Sequence, residues 1–289
     1  MSEKFYGKPI GIPVVGVGTQ PTEEGDETFS FIGAPGAMPT FHPPILPEPE
    51  EVENLLAAKV LLAELQQGIT HYQAGSAALK YDLLPLDNVN LDLVNQVLNE
   101  GEVSVVYSGE PKVQIQESVL TGIWRVQSFD AHQQLITDSI EVADIPSIVR
   151  ESGFASASAL NTELAHLPFG VLNAPALITE IAEKMATWQA GDLPHVINLS
   201  LLPLSPEDLA FLGERLGVGT ITILSRGYGN CRIGSTLKPN VWWVKYYNSE
   251  DALILNTIEI VDVPAVACAA PEDLADSAER LAEILEVYQ

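Results

Sequence analysis

The residue types best suited to recognition in this 289-residue chain fall in one string, Gly227-Tyr228-Gly229-Asn230-Cys231-Arg232-Ile233. Tyrosine and arginine are common interface anchors, because each joins a large planar body to hydrogen-bond donors. The string also reads as a hairpin turn, with glycines supplying positive φ and Tyr228 covering core. Trp243 joins the candidates. In a strand its side chain points opposite to that of Trp242, so it is expected either outward beside Lys245, as a partner anchor, or under the N-terminal residues. The partner-binding candidates are therefore Gly227, Tyr228, Gly229, Asn230, Arg232 and Trp243.

Catalytic chemistry is harder to find. The chain contains no G-x-x-x-x-G-K-[ST], H-E-x-x-H, G-x-S-x-G or C-x-x-C string, so phosphate cradles, zincin helices, nucleophile elbows and dithiol centres have no sequence support. Gly217-Val218-Gly219 lacks a third glycine and sits at a helix end before a strand, the wrong order for a dinucleotide loop. The histidines, His42, His71, His132, His166 and His195, are scattered away from one another and from Cys231 and Cys268. Two cysteines are too few for a four-thiolate site, and a lone Cys231 reads as a small buried apolar residue. No catalytic residue, metal site or resident cofactor is expected, and the protein is not expected to be an enzyme.

Positioning the string depends on an internal repeat. Residues 83–146 laid over 201–264, offset by 118 without a gap, give 17 identities in 64 positions. Among them are Leu91 on Leu209, Gly101 on Gly219, Trp124 on Trp242, Glu141 on Glu259, Asp144 on Asp262 and Pro146 on Pro264. The endings HYQAG at 71–75 and TWQAG at 187–191 extend the likeness. A repeat of this length predicts a tandem duplication of one module, the copies related by a pseudo-two-fold axis and sharing a core.

Each module reads in the same order. Residues 83–84 and 195–202 are expected to be strands or strand ends. A helix follows, capped by Asp87 in the first copy and by Ser205-Pro206-Glu207-Asp208 in the second. Leu91, Val94 and Leu98, mirrored by Leu209, Leu212 and Leu216, line its inner face. The period then drops to two, predicting strands at 103–107, 113–119, 123–129 and 135–142 and a similar four in the second copy, all antiparallel because no helix intervenes. Helices are expected at 51–73, 175–189 and 271–288, the last with an apolar stripe through Leu274, Ala278, Leu281, Leu285 and Tyr288. The fold class is α+β: a duplicated module of one helix and a mainly antiparallel sheet, with helices on one face and additional connecting and C-terminal helices. The expected divisions are a proline-rich arm at 1–50, a first module at 51–150 and a second at 151–289. The arm reads either as a disordered tail or as partly laid on the body through Phe41, Ile45 and Leu46.

The formal charge is −25. Such a surface repels phosphate backbones and anionic lipid, so nucleic acid and membrane are not expected partners. No run approaches the roughly 20 apolar residues of a membrane span, and residues 9–17 do not read as a signal peptide. The expected location is the cytoplasm, with both thiols reduced.

Six short strings in fixed order carry a family resemblance: Gly-Thr-Gln-Pro at 18–21, Glu-Gly-Glu-Val-Ser-Val at 100–105, Gly-Ile-Trp-Arg-Val at 122–126, Ile-Asn-Leu-Ser at 197–200, Gly-Tyr-Gly at 227–229 and Ala-Pro-Glu-Asp-Leu-Ala-Asp-Ser-Ala at 270–278. Together they resemble the HupH/HyaF hydrogenase expression/formation proteins, nearly end to end. The resemblance implies an accessory, chaperone-like role in maturing a membrane-bound uptake [NiFe] hydrogenase. The implied partner is the iron–sulfur small-subunit precursor before export, with other maturation proteins as further possible partners. The family offers no catalytic residues to carry over. The alternative it leaves open is a protein that handles iron or an iron–sulfur cluster on the same pathway.

Overall fold

The computed structural model describes residues 46–226 and 230–288. Its elements follow in the order α1 (Leu56–His71), β1 (Leu79–Asp82), α2 (Asn88–Leu98), β2 (Val103–Tyr107), β3 (Lys112–Glu117), β4 (Ile123–Phe129), β5 (Leu135–Val142), α3 (Ser147–Ser152), α4 (Ala174–Thr187), β6 (His195–Asn198), α5 (Pro206–Leu216), β7 (Ile221–Ser225), β8 (Asn230–Ser235), β9 (Val241–Tyr247), β10 (Leu253–Ile260) and α6 (Pro271–Val287). The class is α+β. All ten strands form a single antiparallel sheet in the order β1-β5-β4-β3-β2-β7-β8-β9-β10-β6.

The centre of the sheet is the β2–β7 pair, registered so that Val105 lies opposite Ile223, 118 positions later. From α2 to β5 every element has a counterpart of the same kind 118 positions on, from α5 to β10. The interval is 116 for β1 and β6, and also between the buried Ala58, Leu61, Leu62 and Leu65 of α1 and the buried Ala174, Leu177, Ile178 and Ile181 of α4.

Cross-strand pairing carries one face of the sheet from Ile140 to Lys245, the residue two beyond Trp243. Helices cover this face over both halves. Over the first half, α1, α2 and α6 pack on Ile123, Ile140 and Val142; over the second, α4 and α5 pack on Val241, Trp243, Ile258 and Ile260. The opposite face is also a core, where Val105, Ile115, Trp124, Ile223, Ile233 and Trp242 meet Val149 of α3 and Val263. Phe154 closes it with its ring 5.0 Å from that of Trp242, edge to face.

Paired contacts hold the two halves alike. Trp124 and Trp242 are both 0% exposed. The Trp124 indole N–H donates to Ala143 O at 2.8 Å, and that of Trp242 to Val261 O at 3.2 Å and Asp262 O at 3.0 Å. Ala143 N–H in turn donates to Gly122 O, as Val261 N–H does to Asn240 O. Both acceptors have positive φ, +87° at Gly122 and +59° at Asn240, and Asn is the non-glycine residue that tolerates this best. At the helix starts, Asn90 Oδ1 accepts from Ala58 N at 2.9 Å and Asp208 Oδ1 from Ala174 N at 2.9 Å, tying α2 to α1 and α5 to α4. Arg150, just after the first half, binds Asp144 at 2.9 Å and Asp262 at 3.1 Å, two aspartates 118 positions apart.

Several boundaries differ from the sequence reading. The first helix starts at Leu56 and not near Glu51, because Pro49–Glu51 form a separate 3-10 turn. The first strand is Leu79–Asp82, and residues 83–84 follow its end; pairing with β5, rather than local apolar pattern, makes it a strand. The second edge strand stops at Asn198, whose side chain accepts from Ser200 N and starts a 3-10 turn.

Candidate functional site

Asn230 and Arg232 alternate on β8 and therefore share a face, with Trp243, Lys245 and Tyr247 beside them on β9. Asn230 Nδ2 donates to Asp251 Oδ1 at 3.0 Å, joining the start of β8 to the β9–β10 turn. The Arg232 guanidinium lies 4.6 Å from the centre of the Tyr247 ring, and the Lys245 ammonium 5.4 Å from that of Trp243. Cations over aromatic faces are attracted by the ring quadrupole, by about 0.5–2 kcal/mol each. The structure thus puts Asn230, Arg232 and Trp243 on one face of the sheet, Asn230 opposite Tyr247 and Trp243 opposite Gly234. Gly227, Tyr228 and Gly229 lie outside the described residues.

The expectation of an outward Trp243 is corrected. It is only 5% exposed, packed under α4 and α5, with its indole N–H 2.5 Å from Asn256 Oδ1. Alternation along β9 separates two cores instead of core from solvent, since both faces of the sheet are covered. Arg125, the counterpart of Trp243, does the same job with a charge. It forks onto Asp138 at 2.9 and 2.6 Å and reaches Asn95 of α2. Positions 125 and 138 thus hold a salt bridge where 243 and 256 hold an indole–amide bond.

Cys231 points to the opposite core, where burial pushes its thiol up to about 12. Cys268 is half-buried, its thiol also raised by burial, to about 11. Thiolate is the nucleophilic and metal-binding form, so both sites disfavour the species that such chemistry uses. Among the described residues no group of three or more His, Cys, Asp or Glu is placed to hold a metal ion.

Two features escaped the sequence reading. The first is Glu117, at the end of β3 and 6% exposed, with Oε1 accepting from Gly122 N at 3.2 Å. Burial first, then the nearby Glu102 and Asp273, raise its carboxyl from 4.5 to about 7, against the lowering effect of the Gly122 N–H. The fold therefore favours the protonated acid, and stability falls as pH rises between roughly 4.5 and 7. Relative to Glu117→Gln, the wild type should lose on the order of 2–3 kcal/mol between about pH 5 and pH 8, read from urea midpoints. A difference that stays flat with pH would contradict this environment for Glu117. The second feature is a groove of about 380 Å³ along α1, lined by Leu56, Ala57, Val60, Leu61, Glu64, Asp82 and Leu86. Its sequence signal was Leu56 and Val60, four apart and off the stripe formed by Leu61, Leu65 and Ile69.

Comparison with known proteins gives concordant results. The family model described as HupH hydrogenase expression protein, C-terminal conserved region, matches twice, over residues 55–163 and 171–288. The chain is 45% identical to the hydrogenase expression/formation protein HoxQ of Cupriavidus necator, covering 96% of this chain and 97% of that one. It is 43% identical to the hydrogenase expression/formation protein HupH of Rhodobacter capsulatus over the whole of both chains. It is also 31% identical to the hydrogenase-1 operon protein HyaF of Escherichia coli K12, covering 99% and 97%.

Proposed function

The chain belongs to the HupH family of hydrogenase expression/formation proteins, and on that premise we propose that it is a non-catalytic, chaperone-like factor that binds the iron–sulfur small-subunit precursor of an uptake [NiFe] hydrogenase before export. The observation that carries this reading is end-to-end identity of 45% and 43% to two hydrogenase expression/formation proteins. The acidity of the chain supports a protein partner with a basic region and opposes nucleic acid. No described helix is long and apolar enough to cross a membrane. Part of the partner contact is proposed for Asn230 and the adjoining Gly227, Tyr228 and Gly229, with Arg232, over the Tyr247 ring, and Trp243 stiffening the sheet beneath rather than touching the partner.

The architecture is read as a tandem duplication with a pseudo-two-fold axis through the Val105–Ile223 pair. Supporting it are the constant interval of 118, the paired contacts of Trp124 and Trp242, and the double match of one family region.

The test is made in a strain lacking this protein and complemented with variants. Wild-type protein should co-purify with the small-subunit precursor and restore hydrogen uptake. The Cys231→Ser and Cys268→Ser proteins should restore at least about half of it, because buried thiols with raised pKa are poor cluster ligands. Loss of uptake in either soluble, folded variant would favour iron or cluster handling instead. Failure of the wild type to hold the precursor would remove the chaperone reading.

A further inference from the structure

We propose that the groove along α1 docks a segment of the partner protein that carries apolar side chains with lysine or arginine beside them. This rests on the accessory reading above and adds where on the molecule the partner is held.

α1 has two apolar stripes. One, through Leu61, Leu65 and Ile69, is packed in the core. The other runs through Leu56 and Val60, which are 67% and 59% exposed, toward a loop in which Leu86 lines the groove and Leu84 is 56% exposed. A helix apolar on two faces with only one face packed leaves surface whose burial awaits a second body.

Charge chooses that body. Glu64 and Asp82 are part of the groove wall, and neither takes part in an ion pair among the described residues. The cation of α1, Lys59, is spent on the Tyr288 carbonyl at 2.7 Å. The groove wall is therefore five apolar residues with two carboxylates, Glu64 and Asp82, among them. Residues 1–45 of this chain carry five acidic residues against two lysines, four of the acids within 23–27 and both lysines within the apolar stretch 1–17; that stretch is the competing occupant. A second copy would bring the same carboxylates face to face. A foreign segment with apolar and basic residues satisfies both the apolar lining and the two carboxylates.

Two probes test the proposal, each with full-length protein: the immobilised small-subunit precursor, and a short labelled peptide of leucine and arginine compared with one of leucine and glutamate. The variants are Leu56→Ser with Val60→Ser, and Glu64→Lys with Asp82→Lys, all at surface positions that leave the urea midpoint near that of wild type. The serine pair should weaken both the precursor and the leucine–arginine peptide about tenfold or more. The lysine pair should weaken both at low salt, and this loss should shrink at about 1 M salt, where screening acts within about 3 Å. The leucine–glutamate peptide should bind none of the proteins. Wild type that holds the precursor while both variant pairs hold it and the peptide equally well overturns the groove and leaves the accessory reading standing. Wild type that binds the leucine–arginine peptide through the groove but not the precursor keeps the groove and overturns the accessory reading. A wild-type dimer that the serine pair converts to monomer assigns the groove to a second copy and overturns the proposal. Full-length protein that binds the leucine–arginine peptide no tighter than background until residues 1–45 are removed assigns the groove to the stretch 1–17 and overturns the proposal.

Discussion

Trp124→Ala and Trp242→Ala should each cost about 4 kcal/mol of unfolding free energy, within the usual range for truncating a fully buried tryptophan. Both rings are 0% exposed, and each indole N–H serves a backbone carbonyl just after the strand next door. Truncation would leave a large cavity and strand that carbonyl. The costs should be close to equal, because positions 124 and 242 do the same work at the same place in their halves. Urea unfolding of each single variant checks this. A variant that loses less than about 1 kcal/mol would show that its site collapses around the gap, contrary to the packing seen. Trp242→Phe should recover most of the loss, since an aromatic ring still meets Phe154.

Asp208→Ala is expected to cost about 3 kcal/mol. This carboxylate is 0% exposed and accepts from Leu172, Asn173 and Ala174 at 2.8, 2.9 and 2.9 Å through one oxygen, and from Ser205 at 3.1 Å through the other. It completes the capping box of α5 and caps the start of α4 with the same side chain. Alanine would leave several donors unsatisfied at two helix ends, each worth about 1 kcal/mol or more. Burial alone would raise the acid, but the four N–H groups outweigh it and hold the carboxyl near 2. The carboxylate form thus contributes fully above about pH 4, and its contribution fades as pH falls toward 2. Asp208→Asn keeps an acceptor and should lose clearly less than Asp208→Ala. Equal losses would mean that the charge, rather than the hydrogen bonds, holds the two helices.

The long two-residue alternations were legible in the sequence. Strands expected at 103–107, 123–129 and 135–142 are β2, β4 and β5 at the same limits, because Val, Ile and Trp recur on alternate positions there. The Ser205 cap and Pro206 marked the start of α5 for a local reason, namely that the Asp208 N–H donates to the Ser205 Oγ. β1 was not legible. Leu79-Lys80-Tyr81-Asp82 is mostly exposed and becomes a strand through its partner β5, more than 50 residues away. The joining of the halves into one sheet was equally hidden, since nothing in Val103–Tyr107 names Ile221–Ser225 as its neighbour. Trp243 misled because alternation reveals that two faces differ, not that one of them is wet. The groove on α1 was visible only as Leu56 and Val60, which by themselves fit an ordinary buried helix as well as a docking surface.

The central β2–β7 pairing has a consequence for dilution. If the two halves were separate chains, their union through the five β2–β7 residue pairs, the packing of α6 on the first half and the Arg150–Asp262 bridge would depend on how much protein is present. Here a tether of roughly a hundred residues makes the encounter intramolecular, so its extent is set by an effective concentration that the cell cannot lower. The two halves therefore stay assembled at any abundance of the protein. It also presents two halves in fixed one-to-one proportion, each with its own contact at the matching place, Arg125–Asp138 in one and Trp243–Asn256 in the other.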